Sequence, residues 1–203
     1  MLKVQNLSCR RGGRMVFQDA GFQADPGSLT LVTGMNGTGK SSLLRLLAGL
    51  LLPVSGQVLW RSQDVSLDAA AWRARLHYIG HLDALKPHLT VREMLSYWHA
   101  LRGIPEGDFR TCLHAFALEK VIDRKIHNLS AGQKRRLSLT RLVMDRAPLW
   151  LLDEPTTALD RDGQELLLRL IGQHRAQGGI VIAAMHDELG APHAQRYEIS
   201  GAQ

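Results

Sequence analysis

A glycine-rich stretch that ends in lysine and serine is the most specific chemical pattern in the sequence. Residues 34–42 read Gly-Met-Asn-Gly-Thr-Gly-Lys-Ser-Ser and fit the pattern G-x-x-x-x-G-K-[ST]. Glycines let backbone N–H groups turn toward phosphate oxygens, the lysine ammonium pairs with β and γ phosphates, and the serine hydroxyl is a Mg²⁺ ligand. The alternative is a glycine-rich turn without a ligand. The predicted nucleotide-binding residues of this stretch are Gly34, Met35, Asn36, Gly37, Thr38, Gly39, Lys40, Ser41 and Ser42.

Two adjacent carboxylates follow an apolar run in the last third of the chain. Residues 149–152 read Leu-Trp-Leu-Leu, and Asp153 and Glu154 come directly after them. At the end of a buried strand, Asp153 is predicted to hold Mg²⁺ together with Ser41, directly or through water. Glu154 is predicted to polarise a water for attack on the terminal phosphate. Adjacent acids are common by chance, but together with the glycine-rich stretch they favour a P-loop nucleotide hydrolase or kinase.

The apolar patterns predict the elements that must position these residues. Short apolar runs bounded by turn residues predict strands at residues 4–7, 16–22, 29–33, 149–152 and 180–185. Helical spacing of apolar residues predicts helices at residues 43–50, 91–101, 109–118 and 162–177. Strand and helix alternation implies a parallel sheet covered by helices. The predicted class is α/β: a P-loop NTPase parallel sheet core with an amino-terminal antiparallel β subdomain and an inserted α-helical subdomain.

Length and composition restrict the protein class. The chain has 203 residues, 45% of them hydrophobic, and a formal charge of +6. We expect a single domain, residues 1–203, with the mostly helical middle (residues 67–146) containing a helical subdomain at about 83–146. Two cysteines give no disulfide framework, the start lacks the apolar core of a signal peptide, and no apolar run approaches the ~18–20 residues of a membrane span. The basic balance is compatible with nucleic acid, an acidic membrane surface or a polyphosphate ligand.

A third segment, between the glycine-rich stretch and the acidic strand, distinguishes among P-loop proteins. Residues 129–136 read Leu-Ser-Ala-Gly-Gln-Lys-Arg-Arg, which resembles the signature sequence of ATP-binding cassette (ABC) ATPases. Residues 156–160, ending in Asp160, resemble the D-loop of that family, and His186 resembles its switch histidine. The resemblance covers nearly the whole chain, and the ordered set is more specific than any one member. The signature residues are Leu129, Ser130, Ala131, Gly132 and Gln133.

The resemblance implies ATP and Mg²⁺ as cofactors and a second copy of the cassette as a partner. In a head-to-tail dimer, ATP lies between the Lys40 loop of one copy and the Ser130 segment of the other. The predicted catalytic residues are Lys40, Glu154 and His186. Two alternatives stay open, because Ser130 also fits a helix N-cap and His186 also fits a histidine with a structural partner at a strand end.

Two positions depart from the family pattern. Arg11 stands where many cassettes stack adenine on an aromatic ring; a guanidinium can also stack on a base, and a solvated basic turn is the alternative. His81 stands where the family usually has a glutamine that touches Mg²⁺ or water and leads into the helical subdomain. We include both among the predicted ATP-binding residues. His81 is further hypothesised to link the nucleotide state to the partner, which an unchanged ATPase rate and unchanged coupling in His81→Ala would contradict.

A more particular resemblance comes from the segment around His81 together with Trp60, Trp150 and the signature. These residues resemble the ATP-binding subunit of the cytochrome c maturation haem exporter. That resemblance implies a peripheral location on the cytoplasmic face of the bacterial inner membrane, membrane-spanning transporter subunits as partners, and haem handled by those partners. The nine histidines and two cysteines include no Cys-x-x-Cys-His motif, so direct haem binding is not expected.

Several other functions compete with this interpretation. One is a soluble ABC ATPase that acts on another macromolecular assembly; nucleic acid is not expected, because no aromatic-interleaved basic motif is present. Another is the ATPase subunit of a different ABC transporter. A third is a P-loop small-molecule kinase, which would explain Lys40 and Asp153 but not the signature or His186. A non-catalytic regulatory binder does not explain the presence of Glu154.

Overall fold

The computed structural model describes residues 1–105, 109–185 and 194–201, so His186 lies outside the described residues. The chain divides into two compact units. The first comprises Met1–Gly80, Ala147–Pro155 and Ile171–Gln203, and the second comprises His81–Arg146 and Thr156–Leu170.

An antiparallel sheet forms the amino-terminal part of the first unit. Its strands, in spatial order, are β2 (Arg14–Ala24), β1 (Leu2–Arg11), β4 (Ser55–Trp60) and β5 (Gln63–Asp64). The β1–β2 hairpin turns through Gly12 and Gly13, whose φ angles are 54° and 78°. Two central residues with positive φ define a type I′ turn, which glycine adopts without strain and which matches the twist of the strands.

A parallel five-stranded sheet forms the core of the same unit. Its strands, in spatial order, are β6 (Leu76–Ile79), β7 (Leu149–Asp153), β8 (Ile180–Ala184), β3 (Leu29–Thr33) and β9 (Gln195–Glu198). Each neighbouring pair is parallel, and every residue of β7 and β8 is buried. Central strands that are covered on both faces need such continuous apolar runs. The predicted α/β class, with a parallel core and an amino-terminal antiparallel sheet, is confirmed.

Among the differences between the predicted and the observed elements of the first unit, two have a clear structural cause. The helix after the glycine-rich stretch, α1 (Lys40–Leu47), stops short of residue 50 because Gly49 adopts a φ of 67°. The middle segment, predicted as mostly helical, contains strand β6 after the short helix α2 (Ala69–Ala74). Four residues are too few to show a strand periodicity, so only the pairing with β7 identifies β6.

Helices dominate the second unit. They are α3 (Val91–Arg102), α4 (Arg110–Ala115), α5 (Ala131–Leu139) and the residues up to Leu170 of α6 (Arg161–Ala176). Helix α3 begins with a capping box between Thr90 and Glu93, and its inward face buries Met94 and Leu95 completely. Within the described ranges, no helix combines the length and the apolar composition needed to cross a membrane.

Candidate functional site

The glycine-rich loop lies between β3 and α1, and two of its glycines are required by their surroundings. Gly34 has a φ of 143°, and a Cβ there would lie 2.7 Å from the Ile199 carbonyl oxygen and 2.8 Å from Thr38 Oγ1. Gly39 has a φ of 105°, and a Cβ there would lie 2.6 Å from Val16 Cγ1. Any side chain at these positions would distort the loop, which therefore presents its backbone rather than side chains.

Lys40 holds its ammonium group across this loop. Its side chain is buried, and Nζ donates hydrogen bonds to the carbonyls of Gly34 at 2.8 Å and Met35 at 3.1 Å. The tip of the loop, formed by Met35, Asn36 and Gly37, is exposed. Helix α1 starts at Lys40 without a side-chain cap, so the positive end of its dipole lies at the same place. A buried cation and a helix N-terminus suit a polyphosphate.

Ser41 and Asp153 lie in contact. The Ser41 hydroxyl donates a hydrogen bond to Asp153 Oδ1 at 2.9 Å, and the Asp153 side chain is 1% exposed. Asp153 ends β7 and is in register with Ala184 of β8. A hydroxyl and a carboxylate oxygen are the hard ligands that Mg²⁺ prefers, so the residues present fit this ion. Ser42, also predicted to bind nucleotide, is buried within α1.

Glu154 adopts a backbone conformation that non-glycine residues rarely take. Its φ is 46°, and its N–H donates to the Ala184 carbonyl at 2.9 Å. Left-handed backbone at a non-glycine residue costs about 1 kcal/mol or more and is concentrated at functional sites. Asp153 is the last residue of β7, and the strained Glu154 follows it directly, so two carboxylates lie at this strand end. The Glu154 side chain is half-buried.

Tyr78 and Arg45 were missed from the sequence and lie in the electrostatic environment of Asp153. Arg45 Nε donates to the Tyr78 hydroxyl at 3.4 Å. That hydrogen bond, together with the Asp153 carboxylate, raises the pKa of Arg45, while burial and then Asp153 raise the pKa of Tyr78. Arg45 therefore stays charged and Tyr78 neutral around Asp153. Tyr78 could be placed near Asp153 only by recognising strand β6, which the sequence patterns did not predict.

Arg11 belongs to a hairpin that packs on the loop. It is the exposed last residue of β1 and lies opposite Arg14 of β2. Val16 follows Arg14 by two residues on β2, and a Cβ at Gly39 would lie 2.6 Å from Val16 Cγ1. The structure therefore brings the hairpin of Arg11 to the glycine-rich loop.

The signature residues lie in the second unit, at the start of α5. The Ser130 hydroxyl accepts from the Gln133 N–H at 3.2 Å, and Gln133 Oε1 accepts from the Ser130 N–H at 3.1 Å. This capping box shows that Ser130 has the N-cap role that was left open as an alternative. Leu129 is buried, whereas Ser130 and Ala131 are exposed, so the segment can both cap a helix and face a ligand.

The predicted D-loop residue packs next to the signature helix within the second unit. Asp160 accepts hydrogen bonds from the Gly163 N–H at 3.0 Å and from Arg136 Nη2 of α5. The Arg136 guanidinium and then the Gly163 amide lower the pKa of Asp160. A Cβ at Gly132 would lie 3.1 Å from the Ala158 carbonyl oxygen, so this glycine keeps the two segments close.

The predicted residues thus divide between the two units. The loop, Asp153, Glu154 and Arg11 belong to the first unit, and the signature and Asp160 belong to the second. His81, exposed directly after the end of β6 and Gly80, is the first residue of the second unit. The predicted role of His186 concerns a residue outside the described ranges.

Known proteins resemble both the sequence and the fold. The chain is 48% identical over 190 residues to the cytochrome c biogenesis ATP-binding export protein CcmA of Rhodospirillum rubrum, covering 94% of this chain and 82% of that protein. A solved ATP-binding subunit of an ABC transporter has a TM-score of 0.88 at 24% identity, covering 98% of this chain and 86% of that one. The ATP-binding cassette MJ0796, solved as a post-hydrolysis dimer with ADP and phosphate, has a TM-score of 0.86 at 23% identity. That match covers 98% of this chain and 94% of the MJ0796 chain. The profile described as ABC transporter matches residues 17–157, and the chain belongs to this family.

Proposed function

We propose that this chain binds and hydrolyses ATP as the energy-supplying subunit of an exporter for cytochrome c biogenesis. The observation that carries the proposal is the contact between Ser41 and Asp153 at the mouth of the glycine-rich loop. It joins the hydroxyl that follows Lys40 to a carboxylate at the end of a buried parallel strand. Membership of the ABC transporter family supports ATP as the nucleotide.

The residues of the first unit have separable roles in this reaction. Lys40 exchanges its two carbonyl contacts for the β and γ phosphate oxygens, and the first amides of α1 bind the same phosphates. Glu154 polarises a water, whose oxygen attacks the γ phosphorus while the bond to the bridging oxygen breaks. ADP and phosphate leave. Ser41 and Asp153 would hold Mg²⁺, which when bound neutralises charge on the phosphate oxygens.

A second copy of the chain supplies the rest of the site. Ser130, Gly132 and the amides at the start of α5 approach the γ phosphate of the other copy, where a helix N-terminus stabilises an anion. The Ser130 hydroxyl keeps its N-cap contact with Gln133, because its oxygen has lone pairs and a proton to share. Asp160 lies beside this segment. A contact of His186 with the γ phosphate remains a prediction from the family resemblance. The dimeric form of the cassette MJ0796 supports this arrangement.

Export requires partners that cross the membrane. We place the chain as a peripheral subunit at the cytoplasmic face of the inner membrane, bound to membrane-spanning subunits that handle haem. The name of the Rhodospirillum rubrum relative supports the export role and the cytochrome c pathway. A formal charge of +6 suits an anionic membrane surface.

Co-purification from membranes tests the proposed function. The tagged full chain is recovered from bacterial membranes in mild detergent, and the co-eluting subunits are identified by mass spectrometry. We expect haem-handling membrane proteins. An unrelated permease, or nucleic acid without membrane proteins, would contradict the assignment.

Complementation provides the matched control. In a strain that lacks the chain, wild type should restore haem-stained c-type cytochromes, Lys40→Ala should not, and Lys3→Ala should behave as wild type because Lys3 is exposed on β1. Full restoration by Lys40→Ala would show that nucleotide use at this loop is not the function.

A further inference from the structure

Arg45 and Tyr78 lie on the same two surfaces that carry Ser41 and Asp153. Arg45 follows Ser41 by four residues on α1, and residues at this spacing are neighbours on one helix face, with Cβ atoms about 5–6 Å apart. Tyr78 is the register partner of Leu151, and Asp153 stands two residues beyond Leu151, so Tyr78 and Asp153 project from the same face of the parallel sheet. Helix α1 therefore brings Ser41 to Asp153 and Arg45 to Tyr78.

The Tyr78 hydroxyl fixes the position of the Arg45 guanidinium. It accepts a hydrogen bond from Arg45 Nε at 3.4 Å, and packing sets its own place, because a Cβ at Gly80 would lie 3.2 Å from this hydroxyl. Both side chains are half-buried. The hydrogen bond to Tyr78 is the largest cause that raises the pKa of Arg45, and the Asp153 carboxylate adds to it. The guanidinium is therefore held within electrostatic range of Asp153.

The charged side chains at this end of the sheet balance one another. Lys40 and Arg45 carry two positive charges, and Asp153 and Glu154 carry two negative charges, so these four side chains sum to zero. A divalent cation that arrives alone is attracted by the carboxylates and repelled by the two cations. A polyphosphate brings the negative charge that offsets this repulsion. Because Lys40 turns to the phosphates in the proposed function, Arg45 is the cation whose effect on the metal can be separated.

We propose that Arg45, positioned by Tyr78, weakens the binding of Mg²⁺ to Ser41 and Asp153 as long as no nucleotide is bound. Its charge repels a divalent cation and attracts a polyphosphate, so that metal and nucleotide occupy the site together. Arg45 is thus a positioning residue that acts through its charge. The inference rests on the proposed function, since it requires nucleotide at residues 34–42 and Mg²⁺ at Ser41 and Asp153.

Metal titration of the full chain without nucleotide tests the inference. The probe is Mn²⁺, which takes the same oxygen ligands as Mg²⁺ and is followed by the loss of its free EPR signal. Arg45→Met should lower the Kd for Mn²⁺ by about 3- to 10-fold, because it removes a unit charge one helical turn from a divalent ion at a partly exposed site. Tyr78→Phe releases the guanidinium and should act in the same direction, but less. Arg45→Lys keeps the charge and should bind Mn²⁺ as wild type does.

A second titration separates the loss of a charge from a loss of structure. ATP binding is measured in EDTA, where the probe is the metal-free anion. Arg45→Met should raise the Kd for ATP by about 3- to 10-fold, because the anion loses a neighbouring positive charge. A site that was merely misfolded would bind both the cation and the anion more weakly, so opposite shifts identify the electrostatic role.

Arg61→Met is the matched control. It removes the same charge from an exposed residue of the β4–β5 turn, whose guanidinium lies 5.9 Å from the centre of the Trp60 ring. Both Kd values should stay at the wild-type level. Asp153→Asn, combined with Arg45→Met, should abolish Mn²⁺ binding and so locate the ion at the proposed ligands.

Several results would overturn the inference. These are an unchanged or higher Kd for Mn²⁺ in Arg45→Met, an equal shift in Arg61→Met or in Arg45→Lys, or Mn²⁺ binding that survives Asp153→Asn. Lys40→Ala distinguishes failure of the proposed function. If wild type binds no ATP, or Lys40→Ala binds ATP as wild type does, the proposed function fails; if ATP binding depends on Lys40 and the Mn²⁺ result fails, only the inference does.

Discussion

Ser41 and Asp153 are separated by 112 residues, yet the hydroxyl of one donates to the carboxylate of the other at 2.9 Å. Such a contact requires β7 and the loop after β3 to end at the same edge of the sheet. Ligands of α/β proteins bind at this carboxyl edge, because loops and helix N-termini converge there. The site is therefore formed by individual side chains, and the ends of β3 and β7 determine where these side chains lie.

Removal of either oxygen should weaken Mg²⁺-dependent hydrolysis. We expect Asp153→Asn and Ser41→Ala to lower the rate of phosphate release by about 100-fold or more, because a lost ligand reduces metal affinity and charge neutralisation. The measurement is phosphate release as a function of Mg²⁺ concentration. Asp123→Asn, on an exposed surface pair with Arg92, is the control. Wild-type rates at saturating Mg²⁺ in both variants would contradict the metal assignment.

His174 is a second residue whose chemistry depends on burial. Its ring stacks on Trp150 with centroids 3.9 Å apart, and it fills the space where a Cβ of Gly179 would lie. Burial lowers its pKa to about 4. The neutral imidazole is thus part of the packing at the start of β8.

The pH dependence of stability should reveal this histidine. Because its folded pKa lies below the unfolded value of about 6.5, the unfolded chain binds the proton first as the pH falls. The stabilisation that depends on a neutral His174 is complete above pH 6.5 and is lost between about pH 6.5 and pH 4. At pH 5 the loss is about 1–2 kcal/mol, after allowance for solvent screening. Urea unfolding at pH 7.5 and pH 5 should show a smaller loss in His174→Phe than in wild type. Equal losses would rule out this role.

At the scale of elements, helix α5 is held by a partly buried ion pair within the second unit. Arg135 donates to Asp83 Oδ1 at 3.0 Å, with side-chain exposures of 3% and 28%. Asp83 follows His81 by two residues, and the signature residue Ser130 is the N-cap of α5. The pair therefore joins the segment after β6 to the signature helix.

Breaking this pair from either side should destabilise the fold. Arg135→Met and Asp83→Leu should each lower the free energy of unfolding by about 2–4 kcal/mol, because each removes one side of an ion pair whose arginine is buried. The double variant should lose less than the sum of the two. A double-mutant cycle by urea unfolding measures this coupling, and strictly additive losses would show that the pair does not act as a unit.

At the scale of the whole molecule, the loop and the signature belong to different compact units. In the proposed dimer, each nucleotide contacts the loop of one copy and the signature of the other. A variant that binds ATP but does not hydrolyse it should therefore accumulate as the dimer.

Glu154→Gln is the variant that tests this assembly. It preserves size and hydrogen bonding but cannot polarise water as a carboxylate does, so ATP should convert it from monomer to dimer in light scattering after gel filtration. Glu165→Gln, an equal charge change on exposed α6, should not dimerise with ATP. Adding Lys40→Ala to Glu154→Gln should abolish the dimer. A Glu154→Gln chain that stays monomeric with ATP would refute the head-to-tail arrangement.

The sequence by itself determined the features written in consecutive residues. The glycine-rich stretch, the strand before it and the acidic end of β7 were predicted because glycine, lysine and apolar runs act locally. The capping box of Ser130 was equally local, since both of its partners lie within four residues of each other.

Only the tertiary structure decided what depends on pairing between distant segments. Strand β6, the place of Tyr78 and Arg45 near Asp153, and the opposition of Arg14 to Arg11 all follow from strand order and register. A four-residue strand is too short to show a distinctive repeat of apolar residues. The hydrogen-bond partner of a polar residue is identified only when its neighbours in space are known. Register is set by the turn and the packed faces together, so contacts across strands are a property of the folded chain.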